Sequence, residues 1–150
     1  MSSYDTVVVG TDGSPPSLLA VDRAGEAARN NDATLIVVCA YYPNSEREVE
    51  RAKEELGDEA FQVIGSAPAE ETLREASGRA RAAGAEKIET TAVVGAPVSL
   101  LIDVAERRSA DLLVVGSRGL NTLKGRILGS VPSEASRRAE CDVLVVRTSR

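Results

Sequence analysis

Asp111–Ala139 reads DLLVVGSRGLNTLKGRILGSVPSEASRRA, a short apolar run followed by spaced glycines and a helix-like segment. The run LLVVG is continuously apolar, which is typical of a parallel strand buried on both faces. Gly116, Gly119 and Gly129 mark the segment after it. Ser130, a residue type favoured at helix starts, follows the last glycine directly. The stretch predicts a strand, a loop and a helix, an arrangement that brings backbone amides against an anion such as phosphate.

The same segment is locally basic, although the chain carries a net charge of -5. Its cations are Arg118, Lys124 and Arg126. We expect Gly116 and Gly119 to adopt backbone angles closed to other residues, so that N–H groups approach the anion without an intervening Cβ. The alternative is a glycine-bearing turn whose basic side chains face solvent.

Strand-forming runs alternate with helical patterns along the whole chain, which predicts a doubly wound α/β fold with a parallel sheet. The third run contains Glu89 and Thr91 and is typical of an edge strand. The runs are Thr6–Gly10, Leu35–Ala40, Ile88–Val94, Leu112–Gly116 and Val143–Arg147. Apolar residues at helical spacing lie between them, in the sets Leu18, Val21, Gly25 and Ala28; Leu73, Ala76, Ala80 and Ala83; and Val98, Leu101, Ile102 and Ala105.

Helix boundaries also carry the residue types expected of them. Ser14 with two following prolines opens the first helix, Gly84 closes the second, Ala96 and Pro97 open the third, and Ser130 caps the fourth. The charged stretch Glu46–Leu56 is predicted to form an exposed helix.

Length and composition predict a single domain over residues 1–150. No apolar stretch approaches the length of a membrane span, and the N-terminus MSSYDTVVVG lacks the basic region of a secretory signal, so we expect a cytoplasmic protein without a membrane partner. Cys39 and Cys141 are then expected as reduced core residues.

The composition argues against several function classes. An acidic chain with one Phe, three Tyr and no Trp is poorly suited to nucleic acid. The absence of histidine removes Ser-His-Asp and Cys-His catalysis, and the carboxylates show no compact metal-ligand spacing. We therefore predict no catalytic residues and no bound metal of the protein's own.

A second loop, Gly10-Thr11-Asp12-Gly13-Ser14, follows the first strand. Asp12 repels phosphate, but its carboxylate can accept hydrogen bonds from ribose hydroxyls, as an acidic residue does in dinucleotide-binding folds. Its alternative role is an Asx turn at the strand-to-helix bend. Ribose at one loop and phosphate at the other together predict a nucleotide. The Rossmann and P-loop fingerprints do not fit GTDGSP and GLNTLKGR.

The chain resembles the universal stress protein family over its whole length. The resemblance is carried by Gly116-x2-Gly119-x9-Gly129-Ser130 after DLLVVG, by VVVGTDGS near the N-terminus and by VGAPV before the third helix. With AVDRA, GSAP, GRILGSVP and SRRAECDVLVV, the chain looks like the short, single-domain actinobacterial members, some of which are described as cyclic AMP binders.

The resemblance implies a five-stranded parallel sheet of order 3-2-1-4-5, as in the adenine nucleotide alpha-hydrolase-like fold, and an adenine nucleotide as ligand. Asp12 would hold the ribose and the backbone of Ala40 would meet the adenine edge. It also implies a homodimer through the last strand, Val143–Arg147. The predicted nucleotide-binding residues are Gly10, Thr11, Asp12, Gly13, Ala40, Gly116, Arg118, Gly119, Gly129, Ser130 and Val131.

Two departures bear on the ligand. Many ATP-binding members have Pro where this chain has Gly10, and Ser or Thr where it has Pro132. Pro132 supplies neither an N–H nor a hydroxyl, which disfavours a triphosphate with magnesium more than a cyclic monophosphate. The departures favour cyclic AMP over ATP, with Mg²⁺ required only for ATP. Arg118, Lys124 and Arg126 leave ATP open.

Three functions compete on this sequence. The first is a regulatory or nucleotide-storing stress protein. The second is an ATP-hydrolysing enzyme, but related ATP pyrophosphatases carry a Ser-Gly-Gly-x-Asp-Ser type of loop that GTDGSP lacks, so any hydrolysis should be slow. The third is an interaction dimer that binds no nucleotide.

Overall fold

The computed structural model describes residues 4–42, 66–117 and 130–148. They contain one parallel sheet of five strands in the order β3-β2-β1-β4-β5. The predicted runs are confirmed with boundaries shifted by one residue at most. The strands are β1 (Thr6–Gly10), β2 (Thr34–Tyr41), β3 (Lys87–Val94), β4 (Leu112–Gly116) and β5 (Asp142–Val146).

In the described ranges, four helices cover the two faces of this sheet. They are α1 (Pro15–Asn31), α2 (Ser66–Ala82), α3 (Pro97–Arg107) and α4 (Ser130–Arg138). Helices α1 and α2 pack on one face, and α3 and α4 on the other. The central strands are buried on both faces, which is why their sequences are apolar without alternation. Val7 and Val9 face α1, whereas Val8 faces α3.

The edge position predicted for the third run is confirmed, since β3 lies at one end of the sheet. Its exposed Lys87 and Glu89 make this open edge a poor template for pairing with another strand. Strand β5 lies at the other end, although its sequence is as apolar as that of a central strand. Leu144 at this edge remains 39% exposed.

The predicted helix ends are largely confirmed. Ser14 caps α1, Pro97 opens α3, and Gly84 follows α2 with a φ of 112°, a conformation that favours glycine. Ser130 is the first residue of α4 rather than a cap that precedes it. The predicted helix Glu46–Leu56 lies outside the described residues.

Cys39 is buried at the end of β2 and Cys141 is half-buried before β5; both are free thiols. The core placement predicted for both is therefore confirmed fully for Cys39 only. Within the described ranges, no helix is both long and apolar enough to span a bilayer.

The contact between α1 and α2 depends on a glycine. A Cβ built on Gly25 would lie 2.9 Å from the Ala80 carbonyl oxygen and 2.9 Å from the Ala83 Cβ. These neighbours are backbone or short side chains that cannot rotate away. Gly78, on α2, has no atom within 4 Å of such a Cβ.

The two glycines make a matched pair of helix substitutions. Gly25→Ala should destabilise the protein, because an overpacking cost of about 1–3 kcal/mol exceeds the gain of about 1 kcal/mol in helix propensity. Gly78→Ala should stabilise it by about 0.5–1 kcal/mol. Urea unfolding at one protein concentration measures both; equal stabilisation by the two variants would contradict the close packing at Gly25.

Candidate functional site

The sheet opens at the carboxyl ends of its two inner strands. Strands β1 and β4 pair only as far as Val9 and Val114. The flanking pairs run further, since Gly10 pairs with Val38 of β2 and Gly116 with Val146 of β5. Adjacent strands therefore separate between β1 and β4 alone, which is the switch point where ligands bind in open α/β sheets.

The first residue after β1 and the first residue after β4 each form a backbone hydrogen bond to the outer neighbouring strand, on the side away from this opening. The Thr11 N–H donates to the Val38 carbonyl at 2.9 Å, on the β2 side. The Ser117 N–H donates to the Val146 carbonyl at 2.7 Å, on the β5 side. The Ser117 hydroxyl also lies 3.2 Å from the Thr148 hydroxyl. These bonds hold the two loops apart and keep the crevice open.

Hydrogen bonds to and between hydroxyl groups shape the loop after β1, and the donor of each bond can be assigned. The Gly13 N–H donates to Thr11 Oγ1 at 3.1 Å, and Ser17 Oγ donates its one proton to the Ser14 carbonyl at 2.9 Å. The Thr11 hydroxyl must then be the donor in its 2.8 Å bond to Ser17 Oγ. The Asp12 N–H completes the set at 3.4 Å from Ser17 Oγ, whose lone pairs are then both used.

The start of α1 has no backbone donor left for an anion. The Ser14 N–H donates to Asp12 Oδ1 at 2.9 Å, and the Ser17 N–H donates to Ser14 Oγ at 3.4 Å. Pro15 and Pro16 have no N–H. With the negative charge of Asp12, this helix N-terminus presents acceptors rather than donors, the reverse of a phosphate site.

Asp12 forms the Asx turn that was its alternative role, through Oδ1. Its other oxygen, Oδ2, makes no hydrogen bond to the part of the chain that the structure describes. The two roles are thus compatible, because one oxygen shapes the loop and the other can accept a ligand hydroxyl.

The glycines of this loop serve close packing and a sharp turn. A Cβ on Gly10 would lie 2.8 Å from Leu101 Cδ1, so glycine lets α3 pack against the end of β1. Gly13 has a φ of +84°, and a Cβ there would lie 3.2 Å from Thr72 Oγ1 of α2. Gly116 is the last residue of β4 and pairs with Val146. The expectation of special backbone angles at Gly116 is therefore wrong, since ladder pairing keeps it extended.

Ala40 lies beside the crevice, where β2 extends past the end of β1. It pairs with Val93 of β3 on one side. Cys39, directly before it, is completely buried, and its Sγ lies 3.8 Å from the Ala40 carbonyl oxygen. Burial, assisted by the negative charge of Asp12, raises the pKa of the Cys39 thiol from 9.0 to about 12. The thiol is thus a neutral core group rather than a nucleophile.

The other side of the crevice is described only in part. Helix α4 begins at Ser130, and the next residue, Val131, is half-buried. Pro132 is buried in the first turn and supplies no N–H, as expected. The remaining predicted residues of this side, Arg118, Gly119 and Gly129, lie outside the described residues, as do Lys124 and Arg126.

Sequence reasoning missed the organising role of Ser17. Ser17 reads as an ordinary residue in the first turn of α1, and only the folded loop brings its hydroxyl against Thr11 and Asp12. The spacing Thr11-x5-Ser17 across two prolines is the signal that was available. No group of three or more Cys, Asp and Glu in the described parts of the chain is placed to hold a metal ion.

Fold and crevice together define a doubly wound α/β protein with an open crevice at its strand switch point. The sequence profile of the universal stress protein family matches residues 3–147. Universal stress protein Rv1636 of Mycobacterium tuberculosis is 52% identical over 149 residues, which cover 99% of this chain and 100% of the relative. A putative universal stress protein of Staphylococcus aureus is 35% identical, over 99% of this chain and 87% of the relative. The chain belongs to the universal stress protein family.

Solved structures share the fold. A crystal structure of a universal stress protein in complex with cAMP is 49% identical with a TM-score of 0.76, over 99% of this chain and 100% of that one. Universal stress protein UspA from Lactobacillus plantarum is 24% identical with a TM-score of 0.75, over 98% of this chain and 100% of that one. The predicted five-stranded order 3-2-1-4-5 is confirmed.

The raised pKa of the Cys39 thiol makes the free energy of unfolding fall at alkaline pH. Its stabilising contribution is complete below pH 9, where the thiol is neutral in the folded and unfolded chain alike. Between pH 9 and about 12 only the unfolded chain ionises, so stability is lost by up to about 1.4 kcal/mol per pH unit. The difference in unfolding free energy between wild type and Cys39→Ala should therefore narrow from about pH 9 upwards in urea titrations.

Cys141→Ala is the control for this measurement. The Cys141 pKa is also raised by burial, but this thiol is only half-buried. The difference in unfolding free energy between wild type and Cys141→Ala should therefore narrow less as the pH rises. A difference in unfolding free energy between wild type and Cys39→Ala that stays constant with pH would contradict the raised pKa of the Cys39 thiol.

Proposed function

We propose that this universal stress protein binds an adenine nucleotide in the crevice between β1 and β4, and that 3′,5′-cyclic AMP is preferred over ATP. Binding serves a regulatory or nucleotide-storage role in the stress response, in the cytoplasm. The nucleotide-binding residues proposed are those predicted from the sequence: Gly10, Thr11, Asp12, Gly13, Ala40, Gly116, Arg118, Gly119, Gly129, Ser130 and Val131.

The acceptor-rich α1 wall of the crevice, together with the helix that starts on the β4 side, carries this proposal. The α1 wall has a carboxylate and no spare amide donor, which suits ribose hydroxyls and repels phosphate. On the β4 side, helix α4 begins at Ser130, and a helix N-terminus, through its N–H groups and the helix dipole, suits phosphate. A nucleoside phosphate has hydroxyl donors at one end and negative charge at the other, and the 49% identical relative was crystallised with cAMP.

Pro132 supports the preference for cyclic AMP. It removes one of the amide donors in the first turn of α4. A cyclic monophosphate carries one negative charge and needs fewer donors than a triphosphate. ATP, held with Mg²⁺ and by the basic residues Arg118, Lys124 and Arg126, is the competing ligand.

The proposed role is binding without catalysis. The sequence contains no histidine, and the Cys39 thiol beside the crevice stays protonated at neutral pH. One oxygen of the Asp12 carboxylate is engaged in its own turn, and the other is the proposed acceptor for the ribose. General-base activation of a water molecule has no evident agent among these groups.

A nucleotide panel tests the binding proposal. Calorimetry and thermal unfolding with cyclic AMP, AMP, ADP and ATP, each with and without Mg²⁺, should show the tightest binding and the largest rise in Tm for cyclic AMP, independent of Mg²⁺. Turnover of ATP should fall far below about 10 per second, a common enzyme rate.

Two other results of the panel would change the conclusion. Tighter binding of ATP with Mg²⁺ than of cyclic AMP would overturn the ligand preference. A Tm that no nucleotide raises would favour the interaction dimer without a ligand.

We also propose that two copies pair through β5. The outer edge of this strand is apolar, and Leu144 on it is 39% exposed, whereas the β3 edge carries exposed charges. Pairing with a second copy satisfies the free backbone groups and covers Leu144.

Leu144→Glu should shift this dimer to monomer in sedimentation equilibrium, because a charge would be placed in the joined edge. Leu19→Glu is the matched control, since Leu19 is 42% exposed and belongs to α1 rather than to the β5 edge, and it should leave the dimer intact. A Leu144→Glu protein that remains dimeric would place the interface elsewhere.

A further inference from the structure

We propose that Ser117 is a positioning residue of the nucleotide site, which ties the β4 side of the crevice to the chain segment at the end of β5. The inference rests on the proposed function and concerns how that site is held in place. In this role Ser117 does not touch the ligand. It anchors the point where the chain leaves β4 to residues 146–148, so the C-terminal part of the chain supports phosphate binding without contacting the phosphate.

In the described part of the chain, the hydrogen bonds of Ser117 all run to the end of β5 and the residues after it. The Ser117 N–H donates to the Val146 carbonyl at 2.7 Å, and Ser117 Oγ accepts the Thr148 N–H at 3.1 Å. The hydroxyl oxygens of Ser117 and Thr148 also lie 3.2 Å apart, within hydrogen-bond distance. Both side chains are half-buried, which limits the access of water to these bonds.

The bond from Thr148 departs from a regular parallel ladder. In such a ladder, a residue whose N–H donates to the neighbouring strand also accepts, through its carbonyl, the N–H two residues further along that strand. Because the Ser117 N–H donates to Val146, the regular acceptor for the Thr148 N–H is the Ser117 carbonyl. The Ser117 hydroxyl takes that place, so the side chain replaces its own backbone as the acceptor.

This replacement lets the chain leave the sheet and stay attached to it at the same residue. The Ser117 carbonyl receives no hydrogen bond from the residues that the structure describes, so the backbone is released from the ladder while the side chain keeps the connection. The exit from β1 is held differently, by one backbone bond from Thr11 to Val38 and by hydroxyl bonds within its own loop and α1. The position of the β4 exit therefore depends on the segment after β5.

The phosphate is the part of the ligand that this anchor affects. Gly116 ends β4, and α4 begins on the same side of the crevice at Ser130. Hydrogen bonds to a phosphate weaken steeply when donor distances and angles change. Loss of the anchor should therefore reduce the contribution of the phosphate to binding and leave the contribution of the nucleoside, which the proposed function assigns to the β1 side and the end of β2.

Adenosine and cyclic AMP together isolate the phosphate contribution, because adenosine has the same nucleoside and no phosphate. The readout is the dissociation constant of adenosine divided by that of cyclic AMP, from calorimetry on the intact protein, with adenosine measured by displacement of cyclic AMP. Ser117→Ala should lower this ratio about three- to tenfold and change adenosine binding by less than about twofold. Ser117→Thr keeps the hydroxyl and should restore the ratio, and Thr90→Val, an exposed change on β3 at the other edge of the sheet, should leave it unchanged.

Thr148→Pro tests the same bond from its other end. Proline has no N–H, so the donor to Ser117 Oγ is removed. This change should lower the ratio in the wild-type background and much less when combined with Ser117→Ala, because the bond is then already absent. An equal further fall in both backgrounds would overturn the anchor. Thr148→Pro by itself replaces Ser117→Ala as the test should Ser117→Ala not fold.

The outcomes separate this inference from the proposed function. An unchanged ratio in folded Ser117→Ala overturns the positioning role and leaves the nucleotide site standing. Weakening of adenosine and cyclic AMP by the same factor overturns it too, because Ser117 would then support the fold alone. Failure of both compounds to bind the wild-type protein overturns the proposed function and the inference with it.

Discussion

The structure depends on the point where two neighbouring parallel strands stop pairing. Strands β1 and β4 part after Val9 and Val114, whereas each stays paired with its outer neighbour to the end. The cause is topological, because the chain leaves β1 toward β2 over one face and leaves β4 toward β5 over the other. Once the backbone bonds of Thr11 and Ser117 are made outward, the crevice follows without any special residue inside it.

The assignment of the hydroxyl protons then decides which groups on the α1 wall of the crevice donate and which accept. Ser17 Oγ has one proton and donates it to the Ser14 carbonyl, which forces the Thr11 hydroxyl to donate and leaves the wall at α1 with acceptors only. Two prolines remove the donors that a helix N-terminus would otherwise offer. A helix N-terminus usually binds phosphate through its free N–H groups, whereas the start of α1 offers acceptors, which suit hydroxyl donors.

Local sequence was a good guide wherever one residue type has one structural consequence. Continuous valine and leucine runs predicted the buried strands, and the pairs Ser14-Pro15 and Ala96-Pro97 predicted helix starts. It failed at Gly116, where glycine was read as a need for unusual backbone angles but pairing with Val146 keeps the residue extended. It gave no sign that the small size of Gly10 serves the packing of Leu101 from a distant helix.

The sequence by itself determined the alternation of strands and helices, the edge character of β3 and the presence of a carboxylate loop and a glycine loop. These follow from hydrophobic pattern and turn chemistry, which act over a few residues. The tertiary structure alone decided which Asp12 oxygen is free, which hydroxyl donates to which, and that Ser17 holds the loop. Those depend on distances between groups that sequence order leaves open, because hydrogen bonds are assigned only when the atoms meet.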